Sequence, residues 1–176
     1  IEQICKTKEI VKMKKEVKNV SLCIQPLPLA VVSCRGGDGR SNALVVGFAA
    51  NASLAPAMVM VGIAPERFSH HLIKESGCFV INFPPLGGFR KEYDYLGSRS
   101  GRDVDKFKAL GLRFGEAQTI DAPVLTDCPV NIECVVVESL RPGSHELFIA
   151  RVERLRCDEE YLNGQGCISW DRIGVK

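Results

Sequence analysis

The sequence predicts a mainly β protein, an antiparallel barrel of six or seven strands with short peripheral helices. Apolar runs of strand length recur along the 176 residues, and most are joined by short turns rich in Gly, Pro, Asn and Asp. Only two brief helical patterns interrupt them. Strict alternation of strand and helix is absent, which excludes a doubly wound nucleotide fold.

In chain order, residues 1–19 form a lysine-rich lead-in without a clear apolar face, and 20–176 are expected to fold as one domain, because no repeat, low-complexity tract or linker divides them. Val20 to Ile24 begin the apolar pattern, and Pro26 and Pro28 impose an extended entry. Leu29 to Cys34 is a strand. Arg35 to Arg40 contains three glycines and makes a hairpin loop; a phosphate loop would need a following Lys-Ser/Thr and a helix. Asn42 to Asn82 then reads as strand, small-residue turn (Ala49 to Pro56), strand, short helix, strand. The helix opens near Pro65, carries Arg67, Ser69, His70 and His71 in its first turns, and stops at Gly77. Cys78 to Phe83 is a strand ended by Pro84-Pro85, and Gly87 to Arg99 is a glycine- and charge-rich connection. Ser100 followed by Asp103 predicts a capped helix running through Phe107 to Gly111. Asp121-Ala122-Pro123 marks a turn. Val130 to Val137 and Leu147 to Leu155 alternate as strands with one buried face, joined by the turn at Arg141 to Ser144.

A net charge of +2 with 45% hydrophobic and 25% charged residues gives no electrostatic footprint for nucleic acid or a membrane surface. No apolar run has the length of a membrane span, and the first residues lack a signal-peptide core, so a soluble cytoplasmic protein is expected. Eight cysteines are present, but no pair is separated by two residues, which argues against a zinc ribbon, a redox dithiol or an iron–sulfur run. Cys34, Cys78 and Cys134 sit in apolar segments and read as buried thiols. No metal site is expected, and no Gly-x-Ser-x-Gly or His-Glu-x-x-His pattern supports a hydrolase.

Anion binding has more support. Arg67 and Ser69 lie at one predicted helix start, and Ser100, Gly101 and Arg102 at another, where unpaired N–H groups and forked guanidinium donors suit phosphate oxygens. The small residues of Ala49 to Pro56 allow something flat to approach the backbone. Together these features fit a ligand with both an aromatic ring and a phosphate.

The runs Pro28 to Cys34, Asn42 to Phe48, Ser53 to Val59, Pro65 to His70, Phe79 to Asn82, Pro129 to Cys134 and Gly143 to Phe148, with the element Ser100-Gly-Arg-Asp-Val-Asp-Lys-Phe107, resemble the flavin reductase-like family, in particular its flavoredoxin-type members. The resemblance covers roughly residues 25–160. It implies a six-stranded Greek-key FMN-binding split barrel, working as a homodimer with flavin near the subunit interface. It places the flavin ring along Gly47, Phe48, Ala49 and Ala50, with Ser53 close by and Ser33 and Cys34 on the neighbouring strand. The phosphate falls to Arg67, Ser69 and His70, with Ser100, Arg102 and Lys106 as a second group. The implied activity passes hydride or electrons from NAD(P)H through FMN to an acceptor, with no catalytic side chain assigned. The alternative is a flavoredoxin-like electron carrier served by a partner protein. Two departures stand out: relatives often carry Trp where Phe48 stands and Cys where Leu96 stands, and the family's tyrosine-containing tail is not recognisable in Gly164 to Lys176.

Overall fold

The computed structural model describes residues 14–18, 20–85 and 87–174. Most of the lead-in, residues 1–13 and 19, lies outside the described residues; 14–18 are exposed. Among the described residues nine strands form: β1 (Ala30–Arg35), β2 (Ser41–Val46), β3 (Ala49–Leu54), β4 (Ala57–Ile63), β5 (Cys78–Phe83), β6 (Phe114–Glu116), β7 (Pro123–Leu125), β8 (Val130–Leu140) and β9 (Glu146–Cys157). The helices are α1 (Phe68–Ser76), α2 (Arg90–Ser98), α3 (Lys106–Leu110) and α4 (Trp170–Ile173). Among the described residues no helix is long and apolar enough to cross a membrane.

Seven strands make one antiparallel sheet in the order β2-β1-β5-β8-β9-β4-β3, and β6 and β7 form a separate hairpin. The count is thus seven in the main sheet instead of six. The additional strand is β3, where the small residues Ala49 to Leu54 pair with β4 instead of turning. Low side-chain bulk weakens a strand signal, but an edge strand with a partner on one side only needs little of it.

The real break between β2 and β3 is Gly47-Phe48. Laid flat, seven strands would separate β2 from β3 by about 29 Å. Only three Cα–Cα steps, about 11 Å, join Val46 to Ala49. The sheet must therefore curl until its two edges meet at these residues. A hydrogen bond from Gly62 N–H to Phe48 O, 2.7 Å, fastens the link to β4.

The inner face of the curl holds the main core, including Val32, Cys34, Val61, Phe79, Ile81, Phe148 and Ala150. On the outer face, Val31 and Ala43 pack with Phe89, Leu96, Phe107, Leu112 and Leu125 under α2, α3 and β7. This double cover explains why β1 is apolar without alternation. The short tail helix α4 sets Trp170 edge-on to Phe83, with ring centroids 5.0 Å apart, and buries Ile173.

Three helix boundaries differ from expectation. α1 starts at Phe68, with Arg67 in extended conformation at its N-cap and Gly77 closing it at φ 70°. Gly87 to Arg99 contains α2, a two-and-a-half-turn helix that buries only Leu96 of its own length, so its polar composition hides the period. α3 is capped by the Asp105 side chain accepting from Lys108 N–H, not by Ser100, whose segment forms a turn with hydrogen bonds from Asp103 and Val104 N–H to Ser100 O.

Candidate functional site

A cleft of about 390 Å³ opens where the sheet edges meet. Its floor comes from Leu44 to Phe48 of β2 and the link, and from Gly62 to Ala64 at the end of β4. One wall is the start of α1, Glu66 to Ser69; the other is Leu96 to Arg102, the end of α2 and the turn that follows it. Leu22 and Leu27 close over one side, and His145 stands at the rim, edge-on to Phe48 with centroids 4.9 Å apart.

The walls are cationic. Arg67, Arg99, Arg102 and Lys106 line the cleft against a single carboxylate, Glu66. Arg102 is braced, its Nη1 donating to Glu66 O at 2.8 Å. Among the described residues the Arg67 and Arg99 side chains have no hydrogen-bond or ion-pair partner. Arg67 also leaves the N-terminus of α1 without a side-chain cap, and Phe68 and Ser69 of the first turn of this nine-residue helix line the same wall.

Lys106 has a second task. It is 3% exposed, and its Nζ donates to Ala43 O at 2.9 Å and Leu96 O at 2.8 Å, tying α3 to β2 and α2. Burial, reinforced by the positive Arg67 nearby, lowers its pKa from 10.5 to about 8. Asn42 donates through Nδ2 to Ser69 Oγ at 2.7 Å, fixing the first turn of α1 onto β2. Gly101 sits against this pair: a Cβ there would collide with the Asn42 side chain and stand 2.7 Å from Phe68 Cδ1.

Of the residues expected at the site, Gly47, Phe48, Arg67, Ser69, Ser100, Arg102 and Lys106 line this cleft together. The other six lie elsewhere. Along β1, successive side chains alternate between faces. Ser33 points outward and donates to Pro123 O at 2.6 Å, while Cys34 points into the core, where burial pushes its thiol up to about 12. Ala49 and Ala50 border a different, apolar groove shared with Pro28, Phe83 and Trp170. Ser53 lies further along β3. His70 turns toward the β8–β9 hairpin, its Nε2 2.6 Å from Glu146 Oε2.

Asn42, Ala64, Arg99 and His145 were not among the expected residues. Asn42 and His145 sit in segments that carry the family resemblance. Arg99 directly precedes the Ser100 element, and only the existence of α2 aims it at the cleft.

Residues 24–171 match the flavin reductase like domain. The chain belongs to the flavin reductase-like family. Its fold superposes on flavoredoxin of Desulfovibrio vulgaris (Miyazaki F) with a TM-score of 0.83 and 27% identity, covering 92% of this chain and 85% of that one. It is similar to an FMN-binding protein from Thermus thermophilus, with a TM-score of 0.75 and 28% identity over 89% and 84% of the two chains. It is also 26% identical over 129 residues to an NADH:riboflavin 5'-phosphate oxidoreductase of Streptomyces pristinaespiralis, covering 73% of this chain and 70% of that protein. The cleft of this flavin reductase-like chain therefore lies in a fold shared with flavoproteins.

Proposed function

We propose that the cleft holds FMN and that the protein is a flavin reductase-type oxidoreductase, taking hydride from NAD(P)H and passing it to an acceptor. The supporting observation is the pairing of an apolar strand-end floor with two guanidiniums that lack side-chain partners among the described residues, Arg67 and Arg99, one on each wall of the cleft. An aromatic ring bearing a phosphate satisfies both halves. Bound FMN supplies the hydride- and electron-accepting chemistry. The chain's residues bind and orient it. Arg67, Arg99, Arg102 and the Ser69 end of α1 take the phosphate; Val45 to Phe48 and Ala64 carry the ring. Lys106 holds the Leu96 to Arg102 wall in place, and Leu22 and Leu27 limit water on one side.

A second reading, supported by the likeness to flavoredoxin, is an electron carrier that meets a partner protein and no nicotinamide. Anaerobic mixing of the flavin-loaded protein with NADH and with NADPH separates the two. The reductase reading expects rapid loss of the flavin's visible absorbance with one nucleotide; with neither, the carrier reading stands. A protein that binds no added FMN would remove both.

A homodimer belongs to the same proposal. β3 is an open edge strand that ends in Leu54, 92% exposed, a surface suited to a second copy. Sedimentation of the purified protein tests it, and a monomer at all concentrations would refute it. The seven described cysteines are all free, which supports a reducing, cytoplasmic setting.

A further inference from the structure

Glu146 is a charged group, 8% exposed, that touches no ligand in the reading above. It is the first residue of β9, and its ladder partner is Ile63, part of the cleft floor. His145 directly precedes it. Neighbouring side chains of an extended chain point to opposite sides, and here the two sides do different work. His145 stands at the cleft rim, edge-on to Phe48. Glu146 turns to α1 instead. Its Oε2 lies 2.6 Å from His70 Nε2, and its Oε1 accepts from Lys74 Nζ at 2.8 Å and from Ser139 Oγ of β8 at 2.7 Å. We infer that Glu146 is a positioning residue of the cleft, anchoring the root of the β8–β9 hairpin so that His145 keeps its stance at the rim. The inference rests on the flavin reading of the cleft.

The cluster differs from a surface ion pair, which would hold little in place. The side chains of His70 and Glu146 are 14% and 11% exposed, and Lys74 Nζ also donates to Ser139 Oγ at 3.2 Å, which closes the group. His70 and Lys74 lie one helical turn apart on the same face of α1, so a single carboxylate engages both. The anchor is itself fixed: the His70 ring packs edge-on to Phe148 of the main core, with centroids 5.4 Å apart. At the other end, Ser144 Oγ lies 2.9 Å from His145 Nδ1. Among the described residues His145 Nε2 has no hydrogen-bond partner, which leaves it for a molecule in the cleft. The stance of His145 is therefore set from the side facing away from the cleft.

Two measurements test this. In flavin-free protein, nuclear Overhauser cross-peaks between the His145 and Phe48 rings report the stance directly. They should be present in the original protein and weakened in Glu146→Gln and in Lys74→Met, although Lys74 makes no contact with His145. FMN is then titrated by flavin fluorescence in a double-mutant cycle of Glu146→Gln with His145→Ala, after circular dichroism confirms folding. Glu146→Gln is expected to weaken FMN about five- to tenfold when His145 is present and by less than about twofold when it is absent. Equal losses in the two backgrounds would make Glu146 merely structural and overturn the proposal. Cross-peaks that persist in both variants would overturn it too, as would His145→Ala binding FMN as tightly as the original protein. Lys74 is half-exposed, so if Glu146→Gln does not fold, Lys74→Met carries the same cycle with the same criteria. Failure of the original protein to bind FMN removes the flavin reading underneath; the cross-peaks, measured without flavin, still decide whether Glu146 holds His145.

Discussion

Arg67 and Gly101 illustrate how differently single residues work in this site. Among the described residues the Arg67 side chain has no hydrogen-bond or ion-pair partner, so its truncation should leave the fold alone and act only on an anion. Arg67→Ala is expected to weaken FMN roughly ten- to hundredfold, the loss of a charged hydrogen bond, while riboflavin affinity stays the same. Equal losses measured for the two flavins would make Arg67 a structural residue. Gly101 has the opposite character. In Gly101→Ala the added methyl group meets Asn42 and Phe68, which are both buried, and overpacking of this kind costs about 1–3 kcal/mol. Thermal unfolding should show the loss, and an unchanged midpoint would mean that the Ser100 turn yields easily. Arg67 and Arg102 could be read from the sequence because exposed charge beside serine and glycine is a local pattern. The strut role of Lys106 could not, since the carbonyls it binds belong to Ala43 and Leu96, on two other elements.

Elements were legible where one face is buried and the chain turns sharply at both ends. β5 matches its expected bounds, and β8 and β9 are longer than expected at one or both ends because their hairpin extends beyond the apolar core. β3 and α2 were missed for one shared reason: each is covered on one side only, and neither has the side chains to announce it. α1 is joined to the β8–β9 hairpin by a cluster around Glu146, whose carboxylate accepts from Lys74 Nζ at 2.8 Å and Ser139 Oγ at 2.7 Å beside His70. The bonds from Lys74, then Ser139 and His70, lower the Glu146 pKa from 4.5 to about 2. The folded state thus binds fewer protons there than the unfolded chain does as pH falls below 4.5. Stability from this cluster is complete above pH 4.5 and is lost as pH falls toward 2. Glu146→Gln should lower stability at neutral pH and flatten that acid limb in denaturant titrations. An acid limb identical to that of the original protein would remove Glu146 from the account.

For the molecule as a whole, the curled sheet and its double cover bury thiols on both faces. Burial raises Cys34 to about 12 and pushes Cys78, Cys128 and Cys134 upward as well. In the unfolded chain these groups lose their protons near 9.0, while the folded state keeps them. Stability should therefore be full below pH 9 and decline as pH climbs toward 12. Lys106 acts in the opposite sense between about 8 and 10.5, but it is one group against four. Melting temperatures measured across this range should fall, and a level or rising profile would show that the thiols are less shielded than their burial indicates. The mainly β class and the antiparallel arrangement were legible from periodicity and turns. The curl was not, because it follows from which strands become edges, and that depends on pairings between distant segments.

The two-residue link at Gly47-Phe48 has one more consequence. At every other boundary in the sheet, neighbouring strands consume each other's amides and carbonyls; here the neighbours are joined by peptide bonds, and among the described residues no ladder pairs β2 with β3. β2 is thus an edge strand along the cleft floor: Ala43 O on it accepts from Lys106 Nζ, and no ladder consumes its remaining outward main-chain groups. On the proposed reading, a heterocycle lying there would be read by an alphabet of backbone donors and acceptors common to all residues, and the specificity of this surface would be written in the shape of the fold more than in the identity of its side chains.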